Sequence, residues 1–361
     1  MSIFQQLNLP QSPKLLAPLA GVSDYPFRVV CADHGADLSY VEMLSATALV
    51  HSSQKTFDML AKHTSEKVLG VQLTSRNADE LGEAVAILDR FDFQTIDINM
   101  GCPVRKVVRN GGGSAILQDV ERVAKTVAAA KKSTLKPVSA KIRLGWDRQS
   151  LNYLEVAKAV ESEGACWLTV HGRTRSDDYS AAVDLDALAQ IKSAVSIPVI
   201  GNGNIFSVYD QEAMSKTGVD GFMVSRGALG NPWIFNELKG FDASPTLDEW
   251  QQTVLKHIAL QEEAYGNRQP PVIVMRKHLL WYLKGWPGGK AVREKMSHVV
   301  SFEEASRLIC DFSDQLRAQG FEKRLPIHPQ GGGRFEWNPM YDMDRKLDRG
   351  VGEDCLEVAE A

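Results

Sequence analysis

The stretch Thr95-Ile96-Asp97-Ile98-Asn99-Met100-Gly101-Cys102-Pro103 is a short run of strand-forming residues, Thr95 to Asn99, that breaks at once into a tight loop carrying a thiol. Working outward in both directions, the same kind of unit recurs. Short apolar runs lie at Leu15 to Ala20, Leu38 to Glu42, Val68 to Leu73, Val138 to Ile142, Trp167 to His171, Pro198 to Gly201 and Gly221 to Val224. Between them, Ala78 to Arg90, Val120 to Lys132, Tyr153 to Glu163, Leu185 to Ser193 and Val208 to Thr217 repeat apolar residues at three- and four-residue spacing, which predicts helices. Strands that alternate with crossover helices are parallel, and eight such units over roughly 240 residues fit a (β/α)8 TIM barrel. A doubly wound open sheet is the competing architecture.

After Asn231-Pro232-Trp233 the pattern changes, and helical periodicity continues from Ser244 to Gly320 without another buried strand. The expected organisation is a catalytic barrel over residues 1–243, a small helical domain over 244–324, and a tail over 325–361 that contains Gly331-Gly332-Gly333 and adds little to the core.

Composition narrows the function classes. The 361 residues, 44% hydrophobic and 24% charged, are ordinary for a globular chain with a large core. Met1 to Ser12 has neither a basic start nor a continuous apolar stretch, and no later run is long enough to span a bilayer, so a cytoplasmic location without membrane association is expected. Five cysteines without a C-x-x-C pair argue against a disulfide framework, a zinc site or an iron–sulfur cluster, and no metal is expected. The formal net charge of -4 offers no global attraction to nucleic acid, so an RNA partner would need a local basic face. The chain is read as a monomer.

Chemistry in such a barrel sits at the C-terminal ends of the strands. In order, those ends carry Pro18-Leu19-Ala20-Gly21, Glu42, Gln72, Asn99 with Cys102, Lys141 with Arg143, His171, Asn202-Gly203-Asn204 and Ser225-Arg226-Gly227. Any one of them has an ordinary alternative: a capped loop for Gln72, a satisfied core histidine for His171, a turn for Asn202. A polar group at nearly every strand end is harder to explain that way, because unpaired polar groups in a barrel mouth are costly. Gly201-Asn202-Gly203 and Arg226-Gly227 suit a phosphate, with small residues admitting backbone N–H groups and arginine supplying a forked charge. Lys141 suits a reduced flavin, whose ring carries negative charge near N1 and C2=O. Cys102, with an ordinary thiol pKa near roughly 8.5, is mostly protonated at neutral pH and suits a general acid, although a lone cysteine is by default a packing residue.

Four motifs in this order, Ala17-Pro18-Leu19-Ala20-Gly21-Val22-Ser23-Asp24 with Pro26-Phe27-Arg28, Asp97 to Pro103, Lys141-Ile142-Arg143-Leu144-Gly145-Trp146 and His171-Gly172-Arg173-Thr174-Arg175, resemble the tRNA-dihydrouridine synthases. The resemblance runs from about Leu15 to about Gln319. It implies FMN held by Pro18, Leu19, Ala20, Gln72, Lys141, His171, Asn202, Gly203, Asn204, Ser225 and Arg226. It also implies Cys102 as the proton donor, and Asn99, Arg143 and Tyr179 at the positions associated with a flipped uridine. The implied reaction has NADPH reduce FMN, after which a hydride passes from flavin N5 to uracil C6 and Cys102 protonates C5. Because the base must reach the flavin, the nucleotide has to be extruded from the folded tRNA. Ser225 stands where the family usually has glycine, and Leu19 where methionine is common.

The resemblance makes the helical domain the tRNA-binding part. Leu279, Leu280 and Leu283 are expected to pack inward, leaving Arg276, Lys277 and Lys284 to meet phosphates, with a solvated cationic face as the alternative for each. The wording R-K-H-x-x-x-Y from Arg276 to Tyr282 resembles the B-type bacterial branch, while Leu144-Gly145-Trp146-Asp147 is also similar to the C-type branch. The rival reading is an FMN-dependent dihydroorotate or dihydropyrimidine dehydrogenase, which shares N-x-x-C-P but acts on a free pyrimidine.

Overall fold

The structure is a computed structural model, and it describes residues 2–242, 244–266 and 272–325. The expected tail, apart from Leu325, lies outside the described residues. Among the described residues nine strands form one parallel sheet: β1 (Lys14–Leu16), β2 (Ser39–Tyr40), β3 (Leu44–Ser45), β4 (Leu69–Thr74), β5 (Thr95–Met100), β6 (Val138–Arg143), β7 (Leu168–His171), β8 (Val199–Asn202) and β9 (Gly221–Val224). The order runs β1-β9-β8-β7-β6-β5-β4-β2, with the two-residue β3 pairing on β4. The ring closes between β1 and β2, where the Leu16 N–H donates to Leu38 O at 2.9 Å. That bond decides against an open doubly wound sheet, which would leave both edge strands unpaired.

All eight expected strands are present; Leu44–Ser45 is the addition, too short to give a period. The first strand is shorter than its apolar run. The Ala17 N–H still donates to Val224 O at 2.8 Å, but Pro18 has no N–H to continue the ladder, so residues 17–20 leave as a loop at the barrel mouth.

The crossover helices follow their sequence periods. In Val120–Lys132, Val123, Thr126, Val127 and Ala130 are buried at the spacing of one helix face. The Asp119 side chain caps its start by accepting from the Glu121 and Arg122 N–H groups, and Asn77 and Asp184 cap Ala78–Leu88 and Leu185–Ala194 in the same manner. Beyond the barrel, helices Leu247–Tyr265, Ile273–Tyr282, Gly289–Met296 and Phe302–Ala318 enclose their own buried cluster, built around Trp250, Met275, Leu279, Leu283, Ile309 and Phe312. Arg324 returns the chain to its departure point: Nη1 donates to Gly230 O at 2.7 Å, Nη2 to Asn231 Oδ1 at 3.0 Å, and the guanidinium lies 4.8 Å from the Trp233 ring centre. Among the described residues no helix is long and apolar enough to cross a membrane.

Candidate active site at the barrel mouth

Parallel register turns a strand-end polar residue into a member of a ring. Gln72, Asp97 and Ser139 are paired across β4, β5 and β6; Asn99, Lys141 and Thr169 across β5, β6 and β7; and Arg143, His171, Asn202 and Met223 across β6 to β9. These rings stack toward one cavity of about 1240 Å³ at the C-terminal ends of the strands. Its wall includes Cys102, Asn99, Arg143 and Tyr179, together with every residue expected to touch the cofactor, from Pro18, Leu19 and Ala20 to Ser225 and Arg226.

The Cys102 loop is held from beneath by a hydrogen-bonded chain. Ser139 Oγ donates to Asp97 Oδ1 at 2.6 Å, Gln72 Nε2 donates to Asp97 Oδ2 at 2.7 Å, and Asn99 Nδ2 donates to Gln72 Oε1 at 2.7 Å. Asn99 Oδ1 then accepts from the N–H groups of Gly101 at 3.1 Å and Cys102 at 2.8 Å. On its other side the Cys102 carbonyl accepts from the N–H and the hydroxyl of Ser114, at 3.0 and 2.9 Å, in the 3-10 turn Gly113–Gln118. Gly113 is required there: its φ is +54°, and a Cβ would sit 2.7 Å from the Cys102 carbonyl oxygen. A thiol on a loop fixed from both sides keeps its position relative to the strand ends. Asp97 was not among the expected site residues. The Thr95-Ile96-Asp97-Ile98-Asn99 alternation carries the signal, because it puts Asp97 and Asn99 on one face.

Cations crowd the strand ends from β6 onward. Burial, then Arg143, lowers Lys141 to about 8, and the ammonium donates no hydrogen bond among the described residues. Arg143 Nη1 donates to Thr174 O at 2.7 Å. Burial followed by the fields of Arg143, Lys141, Arg173 and Arg226 holds His171 well below the usual imidazole range, so it is neutral, and its Nε2 lies 3.1 Å from Arg173 Nη1. Arg226 Nη2 donates to Asn204 Oδ1 at 2.9 Å, and its guanidinium stacks 4.3 Å from the ring centre of Tyr179. Asn202 Nδ2 donates to Met223 O at 2.7 Å and to Ser225 Oγ at 3.2 Å, so the serine found in place of glycine has a partner inside the mouth. Gly203, at φ +127°, comes so close to its neighbours that a Cβ would lie 2.9 Å from Val183 Cγ2 and 3.1 Å from His171 Cδ2.

These features fit a flavin mononucleotide. A half-buried lysine without an acceptor suits the electron-rich edge of a reduced ring, and small residues beside Arg226 suit a phosphate. Lys141, Arg143 and Arg226 line the cavity together with the neutral His171, and Arg173 is buried behind them, a set of donors that suits an anionic ligand.

The helical-domain cations lie outside this cavity. Arg276 Nε and Nη2 both donate to Val299 O, at 2.9 and 2.7 Å, and Lys277 Nζ donates to Gly21 O in the β1 loop. Burial, then Arg293, lowers Lys284 to about 7. Cations that do line the mouth, Arg105, Lys106 and Arg109, sit on the short helix Arg105–Arg109 that follows Pro103. Their signal was the R-K-V-V-R run directly after the thiol loop.

A family model described as dihydrouridine synthase (Dus) matches residues 15–318. The chain is 37% identical over 296 residues to the tRNA-dihydrouridine synthase B of Pasteurella multocida, covering 80% of this chain and 89% of that protein. It is 39% identical over 290 residues to the tRNA-dihydrouridine synthase B of Pseudomonas putida, covering 78% and 86%. A probable tRNA-dihydrouridine synthase 1 of Synechocystis is 37% identical over 306 residues, covering 82% and 84%.

Proposed function

This chain belongs to the dihydrouridine synthase family, and from that premise we propose that it reduces the C5=C6 bond of uridines in tRNA, with FMN as the bound flavin and NADPH as the electron source. It is a flavin-dependent oxidoreductase acting on tRNA uridine. The observation that carries the proposal is a single cavity of about 1240 Å³ lined both by a fixed thiol and by a cluster of cations. That exceeds the roughly 300–1,000 Å³ of a pocket for one small ligand, leaving room for a flavin and an extruded base together.

When bound, FMN supplies a two-electron carrier for the uracil ring. Arg226, Ser225 and the Asn202 to Asn204 turn would hold its phosphate, Lys141 would face the ring edge that gains negative charge, and Pro18 to Ala20, Gln72 and His171 would complete the wall. Cys102 holds a proton for uracil C5 and gives it up as that carbon gains electron density. Asn99 orients the loop bearing the thiol. Arg143 and Tyr179 would receive the base, and the Tyr179 ring, already stacked under Arg226, links base binding to phosphate binding. The Arg105–Arg109 helix would meet backbone phosphates beside the extruded nucleotide, with the helical domain, Arg276 and Lys277 included, supporting the tRNA farther out.

The deciding experiment reduces the flavoprotein with NADPH and follows flavin reoxidation by unmodified tRNA beside uracil, orotate and uridine. Rapid reoxidation by tRNA alone is expected. Rapid reoxidation by a free pyrimidine with none by tRNA would restore the dehydrogenase reading. Replacing Arg105, Lys106 and Arg109 together with alanine is expected to weaken tRNA binding at least roughly tenfold and to flatten its salt dependence, with flavin content unchanged.

A further inference from the structure

Where helices Leu247–Tyr265 and Ile273–Tyr282 meet the start of helix Tyr25–Asp33, three metal-ligating side chains converge outside the cavity. They are Asp24, His257 and His278, and one ligand atom from each lies within 4.8 Å of the other two. His257 and His278 are 0% and 1% exposed. Among the described residues, Nε2 of His257 and both ring nitrogens of His278 are buried without a hydrogen-bond partner, and so is Oε1 of Gln261. Native proteins rarely leave several buried polar atoms in one place unpaired, and such a cluster signals a bound species.

The outer contacts of a ligand set are already in place. Tyr282 Oη lies 3.0 Å from His257 Nδ1, and a proton donated from Nδ1 to that hydroxyl leaves Nε2 with a free lone pair. Asp24 accepts from the Phe27 N–H at 3.2 Å and from Gln261 Nε2 at 2.7 Å, one bond on each oxygen, so each keeps a lone pair. His257 and Gln261 lie four residues apart on one helix, which brings both to the same face.

We propose that Asp24, His257 and His278, with Gln261 Oε1 as a fourth donor, form a site for a zinc-type divalent transition-metal ion that pins the helical domain to the barrel. Two imidazole nitrogens with one carboxylate suit zinc and its d-block neighbours, whereas magnesium and calcium prefer all-oxygen sets. The cysteine spacing that argued against a metal does not bear on this site, because it uses no thiol.

The test uses the full-length flavoprotein purified without a metal-affinity tag, stripped with chelator and titrated with Zn2+ against a competing chelator. Metal analysis after dialysis is expected to find about one zinc per chain, with a rise in Tm of several degrees. His278→Gln and Asp24→Asn should each weaken zinc binding at least roughly tenfold, whereas Cys102→Ala should bind zinc like the wild type. Zinc absent from dialysed wild-type protein overturns the proposal, and that measurement does not depend on any variant folding. Binding unchanged in a folded His278→Gln protein, or lost in Cys102→Ala, overturns it as well.

Discussion

The barrel mouth and the seam between barrel and helical domain both collect buried polar groups, but they treat them differently. At the mouth the chain from Ser139 through Asp97, Gln72 and Asn99 to the Cys102 N–H is bonded link by link, so the loop it supports is set before any ligand arrives. At the seam His257, His278 and Gln261 leave buried atoms without partners among the described residues. Parallel register gives each mouth residue a neighbour in a fixed row. Helix packing aligns no such rows, so partners at the seam depend on which faces meet. Substitutions of residues that line the mouth should therefore act on chemistry and cofactor, and those of the buried Asp97 beneath them or of the helical domain on stability.

The most severe test of this contrast is Cys102→Ala. Flavin should remain bound while dihydrouridine formation in tRNA, read by mass spectrometry of nucleosides, falls roughly 10²- to 10⁴-fold, the usual worth of a positioned general acid. Loss of flavin in this variant would mean that the loop is part of the cofactor cradle.

Next in size is the pH dependence carried by Asp97. Burial raises its carboxyl to about 6 from an ordinary 3.8, opposed by its bonds to Ser139 and Gln72, so the folded state holds a proton that the unfolded state releases. The associated stability is complete below about pH 4 and is lost as pH rises through about 6, on the order of 3 kcal/mol in all. Denaturant unfolding between pH 4 and 7 should show this slope in the wild type and a flatter one in Asp97→Asn. Equal slopes would mean that the chain beneath Cys102 stays charged throughout.

Lys141→Ala should weaken flavin retention or slow flavin reduction by NADPH roughly tenfold or more, since in the proposed arrangement the reduced ring loses a cation. Stopped-flow absorbance checks it, and an unchanged rate with unchanged flavin content would remove Lys141 from the cofactor wall.

The smallest effect expected is inside the helical domain. Arg276→Ala gives up two bonds to Val299 O and should cost about 1–3 kcal/mol in denaturant unfolding, with flavin reduction unaffected. Comparing its tRNA affinity at two salt concentrations with that of Lys277→Ala separates internal bracing from phosphate contact, because only a lost phosphate contact flattens the salt slope.

How much of this was legible follows the same division. Gln72, Asn99, Lys141, His171 and Asn202 could be read because each ends a short apolar run, with a glycine soon after all but Gln72, and a barrel sends all such ends to one place. Asp97 needed the register with Gln72 and Ser139, which one strand alone does not contain. Arg276 is a different case. Helical periodicity identifies an apolar face but says nothing of a long side chain that curls back to a carbonyl such as Val299 O. His257 and His278 lie on different helices and Asp24 on the barrel, so no spacing rule joins them. The strand Leu44–Ser45 offered two residues, too few for any period.

The latch formed by Arg324 makes the helical domain a loop closed at its neck. Its first turn away from the barrel and its last described residues meet at one guanidinium, which lies 4.8 Å from the ring centre of Trp233. A charged group that close to an indole perturbs its emission, so Trp233 is a built-in optical gauge of whether the neck is shut. Steady-state fluorescence of Arg324→Lys against the wild type should shift before the far-ultraviolet signal of the helices changes, and coincident changes would mean that the neck and the helices open as one unit.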